Sequence, residues 1–96
     1  MNKISYKNIE INLDDIICTI DNNPIKLSKI EFTLLNFLLR NRNKFFNRKE
    51  IINNVWHTKV SLQTVDVTIS RLRKKLGDYG KYIITRMGFG YGFIEK

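Results

Sequence analysis

Four cations, Arg71, Arg73, Lys74 and Lys75, fall within five positions near the end of the run TVDVTISRLRKKLG, residues 64–77. Guanidinium and ammonium groups at this density suit the binding of anionic groups, and arginine can also grip a phosphate or a guanine edge with two parallel hydrogen bonds. Catalytic chemistry has far less to draw on. His57 is the only histidine, so a metal cluster or a His-paired nucleophile has one imidazole available. Cys18 is the only cysteine, which excludes an intrachain disulfide and a cysteine-based zinc site. The glycine-rich GFGYG, residues 88–92, has the look of a phosphate loop, but only four residues follow it. No helix N-terminus is left there to hold an anion, so it reads as a hairpin turn. No enzyme activity, cofactor or metal is expected.

The charge of the whole chain points the same way. The net charge is +8, and it is unevenly placed: residues 1–39 carry four lysines against five acids, so the remaining 57 residues supply all of the excess. A basic half beside a near-neutral half implies a surface facing a polyanion, nucleic acid first and anionic membrane second. The longest apolar patch, FTLLNFLL, is eight residues, interrupted by Thr33 and Asn36. A bilayer span needs about 20. No basic-then-apolar leader opens the chain, and a single thiol fits a reducing, cytoplasmic setting.

The cations need an element to hold them, and the periodicity supplies a helix. With Val65 at zero and about 100° per residue, Val65, Leu72, Ile69 and Leu76 fall within about 60° of one another. They form one apolar stripe that must face a core. Lys74, Val67, Arg71 and Thr64 lie opposite, at about 180–260°, while Arg73 at about 80° and Lys75 at about 280° flank the stripe. Short side chains in the first turns would let the backbone approach base edges, with Val67 or a threonine methyl against a thymine methyl and Arg71 on guanine or phosphate. Arg73, Lys74 and Lys75 would hold phosphates. Asp66, read as a first-turn acid, suits the helix dipole, or it accepts from a cytosine amino group or orients a nearby arginine.

Other elements must carry that helix. Residues 1–27 read as short strands, ISY, IEINL, IICTI and PIKL, broken at Asp14-Asp15 and at Asp21-Asn22-Asn23. Pro24 belongs at a strand start or edge. Residues 28–77 then read as three helices. Ser28 with Glu31, and Asn47 with Glu50, each have the spacing of a capping box, and Gly77 closes the third helix. Residues 81–96 read as a terminal hairpin. The expected fold is α+β, one domain over residues 1–96: an N-terminal antiparallel sheet, a three-helix core and a C-terminal β-hairpin, the order of a winged helix-turn-helix.

At this level of detail TVDVTISRLRKKL (64–76), LSKIEFTLLNFL (27–38), RKEIINNVW (48–56) and ITRMGFGYGF (84–93) together resemble the DNA-binding domain of OmpR/PhoB-type response regulators. The resemblance implies that the third helix, residues 62–76, enters the major groove of double-stranded DNA while the wing reaches the minor groove. Thr64, Asp66, Thr68 and Arg71 match its recognition-helix contacts, Arg73 and Lys75 its later basic positions, and Thr85 a contact at the start of the wing. It further implies a head-to-tail dimer on direct repeats and a contact with RNA polymerase through the loop around residues 57–62.

Three departures stand out. Met87 occupies the place of the usual wing arginine, with Arg86 one position early. Gln63 stands where the family often has arginine, and Ser70 and Thr68 are smaller than common occupants. HTKVSLQ is short for the polymerase-facing loop. No receiver domain accompanies these residues, which leaves the effector domain of a longer regulator and a stand-alone relative both open. The expected function is sequence-specific DNA binding, docked by Arg73, Lys74, Lys75 and Arg86 and discriminated by Thr64, Asp66, Val67, Thr68 and Arg71. The alternative is a winged-helix module that contacts RNA polymerase or another regulator without reading DNA.

Overall fold

A computed structural model describes residues 2–95; Met1 and Lys96, the two ends of the expected 1–96 domain and the latter also the end of the expected 81–96 hairpin, lie outside the described residues. Four short strands open the fold: β1 (Lys3–Tyr6), β2 (Ile9–Asn12), β3 (Ile17–Ile20) and β4 (Asn23–Ile25), paired antiparallel in sequence order. Alternation buries Ile9 and Ile11 of β2 completely, and Cys18, paired with Ile11 across the ladder, joins them at the core. Burial pushes the Cys18 thiol up to about 11, so it acts as a small hydrophobe.

The turns are tighter than the sequence suggests. Asp21 and Asn22 both have positive φ, 53° and 66°, the pair of left-handed residues that a two-residue hairpin turn requires. Asn23 is already in β4, and Pro24 sits in that edge strand, where its missing N–H costs least. Ile16, expected to open a strand, instead lies in the preceding turn at φ 56°.

α1 (Lys29–Arg40) is the central helix, with Leu34, Leu35 and Leu38 fully buried. Its capping box is complete: Glu31 N–H donates to Ser28 Oγ at 3.2 Å and Ser28 N–H donates to Glu31 Oε1 at 2.8 Å. Asn47 and Glu50 close the same reciprocal pair at the start of α2 (Arg48–Ile51). That helix is a single turn, continued by a π-helical turn, Ile52–Trp56, and stopped at His57, which has φ 57°. The widened turn buries Ile51 and Val55 on one side while Asn53 and Asn54 stay in solvent.

α3 (Leu62–Leu76) begins at the cap Ser61, whose Oγ accepts from Thr64 N–H, and ends at Gly77, at φ 59°. Its expected stripe, Val65, Ile69, Leu72 and Leu76, is buried in the common core, with α3 packed on α1 and α2. A 3₁₀ segment, Gly77–Tyr82, leads into the wing, β5 (Ile83–Arg86) and β6 (Gly90–Phe93). Phe93 is fully buried, and its ring, with that of Tyr82, meets the Tyr6 ring edge-on, fastening the N-terminal sheet to the wing. Among the described residues no helix is long and apolar enough to cross a membrane.

Candidate nucleic-acid interface

The outer face of α3 is a continuous polar and cationic surface. Gln63, Val67, Ser70, Arg71 and Lys74 are exposed and Thr64 half-exposed, while the opposite stripe is closed in the core. The Arg71 and Lys74 side chains have no hydrogen-bond or ion-pair partner among the described residues, so both heads are available to an external anion. Val67, 47% exposed, offers the one sizeable apolar contact on this face within the helix interior.

The flanking side chains behave differently. Arg73 donates from Nε and Nη2 to the Ile83 carbonyl at 3.0 and 2.7 Å, and from Nη2 to Thr85 Oγ1 at 2.7 Å, with its guanidinium 5.8 Å from the Tyr91 ring centre. It braces α3 against the wing. Lys75 donates to Glu31 Oε1 at 2.7 Å and joins α3 to the start of α1. Two residues expected to hold phosphates are therefore engaged within the protein. Their angles explain it: long side chains at the edges of a buried stripe reach the neighbouring element before they reach solvent.

Thr68 and Asp66 are also engaged within the protein. Thr68 is 7% exposed, and its hydroxyl donates back to the Thr64 carbonyl at 2.7 Å, so it sits at the rim of the core. Asp66 is the fifth residue of α3, beyond the first turn, which removes the dipole argument. Its carboxylate pairs with Arg48 Nε at 3.0 Å and accepts a short hydrogen bond from the Tyr91 hydroxyl. Of the three readings open from the sequence, orienting a nearby arginine is the one the geometry carries. Burial, then the Asp66 bond and charge, raise the Tyr91 hydroxyl above the ordinary tyrosine value.

Beside α3 the wing and the start of α2 enclose an open cleft of about 520 Å³, lined by Arg48, Lys49, Leu62, Arg86, Met87 and Phe89. Thr85 and Arg86 are exposed at the end of β5, but Thr85 already accepts from Arg73. The Arg86 guanidinium lies 5.0 Å from the Phe89 ring centre and 5.7 Å from that of Phe45. Met87 is 95% exposed at the tip. Arg48, Lys49 and Tyr91 were not singled out by the sequence reading. A signal existed: two cations directly after a helix cap oppose the helix dipole, and such local conflicts mark a side chain used elsewhere.

The Lys75–Glu31 pair has a pH signature. Burial opposes the Glu31 charge, yet the Lys75 and Ser28 donors outweigh it and hold the carboxyl below its ordinary value of about 4.5. A depressed acid contributes stability above its unfolded value, and this is lost as pH falls through the folded one. Lys75→Met removes both the ammonium donor and its charge and leaves burial opposed by Ser28 alone, so the depression shrinks and with it the stability lost on acidification. Melting temperatures between about pH 6 and pH 3 should fall for the wild-type chain and fall distinctly less for the mutant. At neutral pH the substitution should cost about 1–2 kcal/mol, since the ammonium is partly solvated.

A recognition-type third helix on a three-helix core, flanked by an antiparallel sheet and a C-terminal hairpin, defines a winged helix-turn-helix protein. Residues 22–93 match the family described as "Transcriptional regulatory protein, C terminal", and the chain belongs to that family, whose domains are of the OmpR/PhoB type. The response regulator ArlR of Staphylococcus saprophyticus is 43% identical over 94 residues, covering 94% of this chain and 43% of its own length. The transcriptional regulatory protein SrrA of Staphylococcus aureus is 35% identical over 99 residues, covering 97% and 41%. The chain thus spans less than half the length of these relatives.

Solved structures agree in fold. The DNA-binding domain of the response regulator AdeR, in complex with an intercistronic region, superposes with a TM-score of 0.88 at 32% identity, covering 97% of this chain and all of that one. The Klebsiella pneumoniae RstA DNA-binding domain, in complex with the RstA box, gives 0.87 at 26% identity, covering 98% of each.

Proposed function

We propose that the chain binds double-stranded DNA sequence-specifically in transcriptional regulation, in the cytoplasm and without enzymatic activity, with α3 in the major groove. The observation that carries this is the outward face of α3, where the Arg71 and Lys74 side chains are unpartnered among the described residues, beside Thr64, Val67 and Ser70, on a helix anchored by four buried apolar residues. Arg71 reads a base edge, Lys74 a phosphate, and Gln63, Thr64, Val67 and Ser70 touch the bases between them. Arg86 and Lys49 hold the phosphates on the wing side. Arg73, Lys75 and Asp66 position these groups, and Thr68 closes the core beneath them. A head-to-tail pair on direct repeats fits an asymmetric reading head of this kind, and the loop around residues 57–62, exposed except at Val60, is where RNA polymerase would be met.

The experiment is selection from randomised duplex DNA under a salt titration, followed by sequencing of the bound fraction. Enrichment of a short motif, repeated at about one helical turn, is the expected result. With phosphates neutralised by Lys74, Arg86 and Lys49, log K against log[salt] should have a slope of roughly −3. Arg71→Ala should lose about 1–3 kcal/mol on the selected site and little on random DNA, whereas Lys74→Ala should weaken all sequences alike. Equal losses on both DNAs for Arg71→Ala would remove its base-reading role. No binding even at low salt would leave a protein-interaction module in its place.

A further inference from the structure

The tip of the wing is apolar where the rest of the cleft is cationic. Met87 at 95% and Phe89 at 58% exposure are the two most exposed large hydrophobic side chains among the described residues. Both lie in the turn between β5 and β6, which Phe89 N–H closes onto the Arg86 carbonyl at 2.9 Å, with Gly88 at φ 84° between them. Below the tip the wing is held fast. Phe46 and Tyr91 exchange both backbone hydrogen bonds, at 2.8 and 2.9 Å, which pins β6 to the chain entering α2. A fixed base thus projects two apolar side chains, Met87 almost wholly in solvent and Phe89 more than half so.

Their surroundings select the partner. Arg86 leans on Phe89, and Arg48 and Lys49 line the same cleft. An apolar point ringed by cations complements a ligand that is anionic outside and apolar within, as a duplex is: two rows of phosphate around stacked bases. The minor groove, about 6 Å wide, admits neither helix nor ribbon but does admit single side chains from a turn. Unbranched methionine and flat phenylalanine are the shapes that part a base step.

We infer that Met87, backed by Phe89, wedges into a base step of the minor groove beside the α3 site and bends the duplex, while Arg86 and Lys49 hold the flanking phosphates. The inference rests on the duplex-binding reading. It assigns sequence preference to positions that no hydrogen bond reads: pyrimidine–purine steps such as TA unstack most easily and are favoured under the wing.

The test uses the chain with duplexes of about 30 bp, three helical turns, carrying the selected motif and either a TA or a GG step at the flank. Bending is read by energy transfer between end labels, and unstacking by 2-aminopurine at the step. The wild-type chain should bend the TA duplex, raise the 2-aminopurine signal and prefer TA over GG by about tenfold. Met87→Ala combined with Phe89→Ala should abolish the bend, the signal and the preference while leaving the salt slope unchanged. Both side chains face solvent, so a matching melting temperature excludes misfolding. Salt-dependent binding by the wild-type chain without a bend, or a bend unchanged in the double variant, overturns the wedge alone. Binding to anionic phospholipid vesicles that needs Met87 and Phe89, with no step preference on DNA, also overturns it. Failure of the wild-type chain to bind any duplex overturns the wedge together with the reading beneath it.

Discussion

Gly90→Ala is expected to cost about 3–5 kcal/mol and to loosen the wing from the helices. Gly90 sits at φ 108°, a backbone region that L side chains rarely adopt, at the first position of β6. An added Cβ would also overlap the Phe46 carbonyl and come within 2.8 Å of Asn47 Cα. Those atoms belong to the segment that pairs with Tyr91 and leads into the cap of α2, so they cannot retreat without breaking the bridge. Gly88→Ala is the matched control. Gly88 shares the positive φ, at 84°, but a Cβ there meets nothing within 4 Å. Its cost should stay near about 1–2 kcal/mol. Urea unfolding of the two variants separates conformational strain from collision. If Gly90→Ala is no worse than Gly88→Ala, the close approach of the wing to residues 46–47 is not what fixes it.

The second large effect is expected at Arg73. Truncation to alanine removes three charge-assisted donors, leaves the partly buried Ile83 carbonyl without its side-chain partner and frees Thr85. The loss should be about 2–3 kcal/mol of stability. Affinity for duplex DNA should fall as well, because the wing loses its fixed angle to α3. The discriminating readout is the salt dependence. A cation that neutralises a phosphate takes about one unit of slope with it when removed, whereas a brace takes none. Arg73→Ala is therefore expected to weaken binding with the slope unchanged, and Lys74→Ala to reduce the slope with stability unchanged. Arg73→Lys should not rescue, because a single ammonium cannot span the Ile83 carbonyl and the Thr85 hydroxyl together as a planar fork does. A slope lowered by about one in Arg73→Ala would return Arg73 to the phosphate-contacting set.

These two residues show which kinds of information the chain carries openly. Local signals were legible because their physics is local. Ser28 with Glu31 and Asn47 with Glu50 predict their caps, since the donors and acceptors lie within one helical turn. The stripe of Val65, Ile69, Leu72 and Leu76 predicts the buried face of α3, since an amphipathic helix has one way to satisfy it. The order of strands, helices and hairpin, and the basic bias of the C-terminal half, follow from periodicity and composition in the same way. Ile16 is an exception within this class: its β propensity points to a strand, yet the turn from Leu13 claims it, because the register that buries Ile11 opposite Cys18 starts β3 one residue later.

The roles of the charged side chains were only half legible. The wheel separates Lys74 and Arg71, far from the stripe, from Arg73 and Lys75 at its edges, but it does not say what stands across each edge. The fold puts the Ile83 carbonyl beside Arg73, ten residues on, and buried Glu31 beside Lys75, 44 residues back. It likewise draws Arg48, Asp66 and Tyr91 together from three elements. From the sequence alone come the helix, its buried stripe, its cationic outer face and hence the class of partner. Which cations stay free for that partner, and which are held to keep the reading head in shape, depends on contacts between residues distant along the chain, and those exist only once the elements have packed.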